Sequence, residues 1–542
     1  MASGADLNQR SMKMRRVAAG GVAGIAGAAT LIAVISVVSR VVGFGRQLVF
    51  QSQVGETVLG SVYATANAIP NVVFEIVAGG ALASAVVPLL AAAVGRQDTD
   101  HVRQTVSALL GWTLAVLVPV AIVGVLIAGP VMQLMLRGEG GSAGIDVGRH
   151  MLVLFLPQVP LYGIAVVTAA TLQAHRRFLA AAMAPITSSV VVAAAYLVFG
   201  ATFAGDRDEL DTLDRSGELT LAGGTTLGVV VLALTTLVPV IMTVTGLRPT
   251  LRFPPGVARQ AAGLAGAGLA TLVAQQAAYV TSYVTSNQYA SAGGAVTYLN
   301  SWMIYLLPYA VLAVPIATAA FPRLAEYADR DRARYIGTLA DSTRAVLAVS
   351  TTGAAVLIAV AWPVARVFDR LDPGSVATAD RMAWALVAFA PGLLGYALVA
   401  HLGRALYASG HGGAAAAATV SGWLMVVVIA VTLTRVVPAE RVTAALGVAH
   451  SVGMTLAGTL LIAAVIRADG WPALRGVVRT LIFALISGGV GGTAGWAVAA
   501  TFPSGNVIAV VAAGLVAAGV VVVCMAGVLR PVLRSATRRG DG

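Results

Sequence analysis

The chain has 542 residues, of which 58% are hydrophobic and only 11% charged, with a net charge of +12 and a mean hydropathy of +0.86. Soluble domains carry about a quarter charged residues, so this composition excludes a water-soluble enzyme and implies many membrane crossings. The positive charge does not build a nucleic-acid surface, because Lys13 is the only lysine and the arginines cluster in short segments between apolar runs.

A basic stretch with Lys13, Arg15 and Arg16 opens the chain and is followed by VAAGGVAGIAGAAT, which looks superficially like a signal peptide. The apolar run continues into LIAVISVV without a stop, so residues 1–28 are read as a basic tail and the run as an uncleaved first span. Runs long enough to cross a bilayer, about 20 residues each, follow near 29–53, 57–93, 104–128, 148–173, 178–203 and 221–246. A second set falls near 262–286, 293–322, 343–366, 382–407, 413–434 and 442–466, and two more near 478–501 and 506–529. The run at 57–93 is too long for one straight crossing, and Pro70 is its expected break, with Asn71 satisfying the backbone groups freed there. The lone Cys524 lies in the last run, where it can form neither an internal disulfide nor a thiolate metal site.

The first two sets are copies of each other. Pro88 answers Pro322, Pro157 answers Pro391, Tyr162 answers Tyr396 and Leu172 answers Leu406, all 234 positions apart. One offset held over so long a stretch indicates a duplicated six-helix bundle. The predicted fold is an all-α polytopic membrane protein of about fourteen spans: two six-helix lobes in parallel repeat plus two C-terminal helices. Its divisions are a tail at 1–28, an N-lobe at 29–246, a linker at 247–261, a C-lobe at 262–466, a final helix pair at 467–529 and a basic tail at 530–542.

With the N-terminus in the cytoplasm, alternate loops and both tails carry 24 of the 35 basic residues, and the opposite side carries 9. The segment 206–219, with six acidic residues against two arginines, falls on the outer side. That asymmetry predicts both termini in the cytoplasm and an even number of spans.

Charges inside spans are costly and point to function. Arg40 and Arg46 lie in the first span and Glu75 is the sole acidic residue deep in the second. In one reading an arginine snorkels while Arg40 pairs with Glu75. In the other the arginines form a cationic cleft for an anionic substrate, since a guanidinium binds phosphate oxygens in bidentate fashion. At +234 these positions become Ala274 and Val280, so the first lobe would grip the charged part of the substrate. In the second lobe Gln275, Gln276, Thr281, Asn300 and Ser301 could line the cleft or bond locally within their helices. His401 and Arg404, toward the end of the tenth span, suit a headgroup phosphate or a solvated helix end. The glycines of SGGVGGTAG (487–495) have the spacing of helix packing. No phosphate loop, zinc-protease helix or nucleophile elbow is present at a plausible place, so the chain is read as a transporter rather than an enzyme.

The stretch 39–90 resembles the MurJ (MviN) family of lipid II flippases in the MOP superfamily, through Ser39-Arg40, Gly43-Phe44, Arg46, Pro70-Asn71, Gly79-Gly80 and Val87-Pro88. The segment LLPYAVLAVPIATAAFPRLAE (306–326) is similar to the family's eighth span. The resemblance implies two lobes rocking about a central cavity, a groove for the lipid tail beside the last two helices, and Arg40 and Arg46 as two of the cavity arginines that hold a pyrophosphate. Three positions depart from the family pattern: an acidic residue is Gln47 here, an arginine pair is Phe74 and Glu75, and an eighth-span arginine is Ser301. Cation sites known in part of the superfamily need second-lobe carboxylates, which spans seven, eleven and twelve lack.

The expected function is therefore flipping of lipid II across the bacterial cytoplasmic membrane by alternating access. Arg46, Arg40, Glu75, Asn71, Ser301, Asn300 and Gln275 are the expected cavity residues. The expected partners are a lipid-linked saccharide and cell-wall synthesis proteins, with no nucleic acid, metal or cofactor. Two other readings stand beside it: a multidrug exporter of the same superfamily coupled to a cation, and a non-transporting scaffold for cell-wall assembly.

Overall fold

A computed structural model describes residues 35–538 apart from 36, 77–85, 87–88, 91–92, 204–206, 208–209, 255–267, 373–377 and 503–505. The N-terminal tail, Gly79-Gly80 and Val87-Pro88 lie outside the described residues, as do residues 255–261 of the linker. Each of the fourteen predicted runs is helical in its described part. Ten helices are long and apolar enough to span a bilayer, and Ala379–Phe389 with Gly392–Ala408, bent by 45°, makes an eleventh. Three of the predicted spans fall short of that test in their described parts: 37–53, Val58–Phe74 and Leu269–Tyr289. They are short in their described parts or carry polar runs such as Gln275-Gln276, and all three face the centre of the molecule.

The helices before residue 247 pack mainly on one another, as do those from Leu269 onward. The last two, Val477–Ala500 and Val507–Arg538, lie against the 40-residue helix Arg332–Leu371. The internal repeat is visible at its prolines. Pro157 marks the break between Gly141–Phe155 and Gln158–Ala174, and Pro391 the break before Gly392–Ala408. A proline cannot donate the backbone bond that would continue the ladder, so both copies bend at the same register. Pro70 behaves otherwise than expected. The helix Val58–Phe74 passes through it, and the irregularity comes at 75–76 as a wider π-type turn. Asn71 donates to the Asn67 carbonyl at 2.8 Å in that helix and accepts from Tyr162 at 3.4 Å.

Small residues let the helices approach. Gly488 and Gly492 face Thr351 and Ala355, while Gly491 and Gly495 face the last helix near Val521 and Ala517. One helix thus packs two neighbours through two glycine faces, as the spacing predicted. In the C-lobe a methyl group on Gly395 would overlap the Met454 backbone carbonyl, whereas Gly403 on the same helix has open space around it.

The hydrogen bonds joining the two lobes cluster at one end, around the turn 54–57. Thr297 donates to Glu56 at 2.6 Å, Gly293 N–H to Glu139 at 3.2 Å, and Asn287 to Thr65 at 2.8 Å and to the Met135 carbonyl at 3.0 Å. Gln47 donates to Asn300 at 2.9 Å, Asn300 to Gln51 at 2.8 Å, and Gln51 to Asp372 at 3.2 Å, which also accepts from the Glu56 backbone. These groups are buried, so each would cost about 1–3 kcal/mol if left unpaired. Burial pushes both Glu56 and Glu139 up to about 7. For Glu56 the nearby Asp372 pushes in the same direction, while Thr297, Asn300 and Arg381 oppose it.

Two outcomes are expected. Gly395→Val lowers stability by about 3 kcal/mol through overpacking against backbone, while Gly403→Ala is neutral or slightly stabilising; thermal unfolding in detergent reads both. The second concerns pH. A carboxyl group with a raised pKa in the sealed state favours the seal in its protonated form. The stabilisation is complete below the ordinary carboxylate range and is lost as pH rises through about 7. Hydrogen exchange of the 54–57 turn is expected to quicken by about tenfold from pH 5.5 to pH 8, beyond the intrinsic pH effect. Glu56→Gln is expected to remove much of that dependence.

Candidate functional site

Away from the seal the lobes part around a cavity of about 700 Å³. Its N-lobe wall is built from two helices. On 37–53, Arg40 and Arg46 are six residues apart, a rise of about 9 Å, with Gly43 and Phe44 between them on the cavity side. On Val58–Phe74 and the turn after it, Asn71, Phe74 and Glu75 follow the i, i+3, i+4 spacing that puts side chains on one face. Gly43, lacking a side chain, leaves open space between the two arginines.

Among the described residues none of the three charges is neutralised by a neighbour. Arg40, Arg46 and Glu75 make no ion pair or hydrogen bond among the described residues, and Arg46 Nε is buried without a partner. The expected pairing of Arg40 with Glu75 is therefore absent: the two line the same cavity without closing to salt-bridge distance. Arg40 and Glu75 are exposed to the cavity, and Arg46 is half-buried.

The C-lobe wall differs in kind. Gln275, Ala278, Tyr279 and Ser282 share one face of Leu269–Tyr289. Tyr298, Trp302 and Tyr309 project from the next helix, and Phe389, Tyr396, Trp423 and His450 complete the wall. The rings support one another. Tyr309 and Tyr396 lie 4.5 Å apart, Trp302 and His450 4.9 Å, and Tyr305 and His450 5.0 Å, where the imidazole Nε2 and the Tyr305 hydroxyl are 2.9 Å apart. Tyr309 and Tyr396 are tilted, whereas the two His450 pairs are edge-to-face; such packing is worth about 1 kcal/mol per pair beyond burial and fixes ring orientation.

Of the residues expected from sequence, Arg40, Arg46, Asn71, Glu75, Gln275 and Gln276 come together here. Asn300 and Ser301 do not. Both are fully buried: Asn300 bridges Gln47 and Gln51 in the seal, and Ser301 donates to the Thr297 carbonyl within its own helix. The intervening face turns Trp302 to the cavity instead. Thr281 likewise bonds to the Ala277 carbonyl in its own helix. His401 is buried against Ser342 and Thr343, whereas Arg404 is half-buried and reaches Thr318.

This arrangement matches known proteins over most of its length. The family model for "Lipid II flippase MurJ" matches residues 50–516. The lipid II flippase MurJ of Burkholderia cenocepacia is 26% identical over 378 residues, covering 68% of this chain and 70% of that protein. The probable lipid II flippase MurJ of Vibrio cholerae is 25% identical over 385 residues, with 68% and 70% covered. Among solved structures, a lipid II flippase MurJ in an inward closed conformation superposes with a TM-score of 0.72 at 15% identity, covering 93% of this chain and all of that one. An inward-facing multidrug resistance MATE family transporter of the MOP superfamily gives 0.65 at 14% identity, covering 80% and 96%. The low identities make these two a likeness of fold. The family model spans most of the chain, and on that ground this multi-pass membrane protein belongs to the lipid II flippase MurJ family.

Proposed function

We propose that this chain moves lipid II from the inner to the outer leaflet of the bacterial cytoplasmic membrane by alternating access. The observation that carries the reading is an inter-lobe cavity with two arginines that no carboxylate among the described residues neutralises, one of them with a buried, unpartnered Nε. Cations in a membrane span without counter-charges are costly, and a diphosphate supplies acceptors that match the planar, forked guanidinium. Arg46 and Arg40 would neutralise the diphosphate while the polyprenyl chain stays in the lipid. The saccharide and peptide would fill the space toward the C-lobe.

The basic-residue asymmetry supports an orientation with both termini in the cytoplasm. On that orientation the turns at 54–57 and 136–140, with Gly293 and Asp372, lie on the outer side. The seal is then the outer gate, and the described state is one in which the cavity serves the inner leaflet. Flipping requires the seal to break and the opposite end to close, with the substrate's charges held throughout.

The test is lipid II exposure on the outer leaflet of cells depleted of their own flippase and supplied with this chain. Wild type is expected to restore exposure, Arg46→Ala to reduce it by at least about tenfold at equal protein level, and Arg46→Lys to recover only part. A scaffold that does not transport would tolerate Arg46→Ala. Failure of abundant, inserted wild type to restore exposure would sink the lipid II assignment.

A further inference from the structure

Glu75 is the feature of the cavity that diphosphate binding leaves unexplained. It stands in a membrane-spanning region, exposed to the cavity, with no ion pair or hydrogen bond among the described residues. A lone carboxylate there is costly, and beside a diphosphate it would be repulsive. Two arginines line the same cavity, yet neither comes within pairing distance. Its surroundings are aromatic. Phe74, the preceding residue, packs on Tyr162 with ring centroids 4.6 Å apart. Tyr279 and Tyr396, from the second lobe, line the same cavity as Glu75. Tyr396 is braced by Tyr309, so its ring is held in place.

A carboxylate facing ring systems is suited to one class of ligand. The ring faces carry negative partial charge and attract a cation, most strongly where water is scarce, and the carboxylate adds a full counter-charge. A divalent metal needs several oxygen ligands, and the described residues hold no cluster of three or more acidic, histidine or cysteine side chains. A primary ammonium asks for less: three donors on a compact charge, satisfied by one carboxylate, a ring face and an amide oxygen such as that of Gln275 or Asn71.

We propose that Glu75, with Tyr279 and Tyr396, binds a primary ammonium on the peptide part of the substrate, so that the cavity selects a headgroup with an anionic end and a cationic end. This inference rests on the lipid II reading above. It gives the cavity a charge balance: Arg40 and Arg46 oppose the diphosphate, and Glu75 opposes the amine. A loaded cavity with paired charges crosses the low-dielectric barrier at lower cost than one carrying an unmatched carboxylate. The amine also supplies specificity, because a substrate lacking it leaves Glu75 unpaired in a space it fills with apolar or neutral groups.

The experiment compares two ligands on the purified full-length protein in lipid nanodiscs: a polyprenyl-diphosphate disaccharide-pentapeptide with a free side-chain amine, and the same molecule with that amine N-acetylated. Wild type is expected to bind the free-amine form about tenfold more tightly. Glu75→Gln, with folding checked by thermal unfolding, is expected to narrow the preference to within about twofold, and Glu75→Asp to retain most of it. Equal binding of the two forms by wild type overturns the proposal while leaving the lipid II reading intact. So does a preference that survives in folded Glu75→Gln. Wild type that binds neither form overturns the lipid II reading and this inference with it. Should Glu75→Gln fail to fold, the wild-type comparison and Glu75→Asp decide: equal binding in either overturns the proposal.

Discussion

The constraint that organises this molecule is the low dielectric of the bilayer, in which every polar group must find a partner within the protein or face a cavity. Most of the chain obeys it in the simplest way. Threonine and serine hydroxyls fold back onto carbonyls three or four residues earlier, as at Thr168, Thr171, Thr225 and Ser282. Where two lobes meet, the same requirement produces the seal, in which Gln47, Gln51 and Asn300 pass hydrogen bonds to one another and on to Asp372. That network is polar, and this suits a joint that must open. Apolar surfaces brought together in lipid have no hydrophobic drive to close, whereas hydrogen bonds give a defined closed geometry and can be remade with water when the seal parts. The cavity charges are the exception to the rule, and it is as exceptions that they mark the site.

The two lobes began as copies and now divide the work. The register that places Arg40 and Arg46 in the first lobe places Ala274 and Val280 in the second. The first lobe offers the full charges. The second offers quadrupoles, amides and one imidazole, each held by its neighbours. A rigid aromatic wall is pre-organised, losing little side-chain freedom when a ligand arrives, whereas the long arginines can follow a phosphate as the lobes move. Tyr162 and Tyr396 keep their equivalence at the centre: one supports the Phe74 turn, the other the wall opposite.

Much of this was legible in the sequence because a bilayer reduces the fold to a few strong rules. Fourteen apolar runs are helical in their described parts, the prolines of the repeat interrupt both copies at the same register, and glycine spacing at 488–495 packs two neighbours. Arg40, Arg46 and Glu75 stood out because charges inside spans are rare. What could not be read is the rotation of each helix about its own axis. Asn300, Ser301 and Trp302 are consecutive, yet the first enters the seal, the second bonds inside its helix and the third lines the cavity. A shift of 100° per residue separates these fates, and boundary estimates soft by several residues cannot resolve it. The buried acids Glu56 and Glu139 were missed for a related reason. They sit in short turns that look solvent-facing until a second lobe, more than 150 positions later in the chain, covers them.

Departures from a family pattern are most informative when the structure shows what replaced the lost contact. Gln47, standing where the family carries an acidic residue, keeps the polar role and gives up the charge, donating to Asn300 inside the seal. Ser301, standing where the family carries an arginine, has withdrawn from the cavity altogether. Glu75 is different, because there the sign of the charge is reversed and the side chain still faces the cavity. Loss of a cation alone would weaken anion binding and nothing more. Reversal beside an aromatic wall changes the chemistry that the cavity can recognise. An intramembrane carboxylate without a partner among the described side chains is costly, which argues that its partner arrives with the substrate.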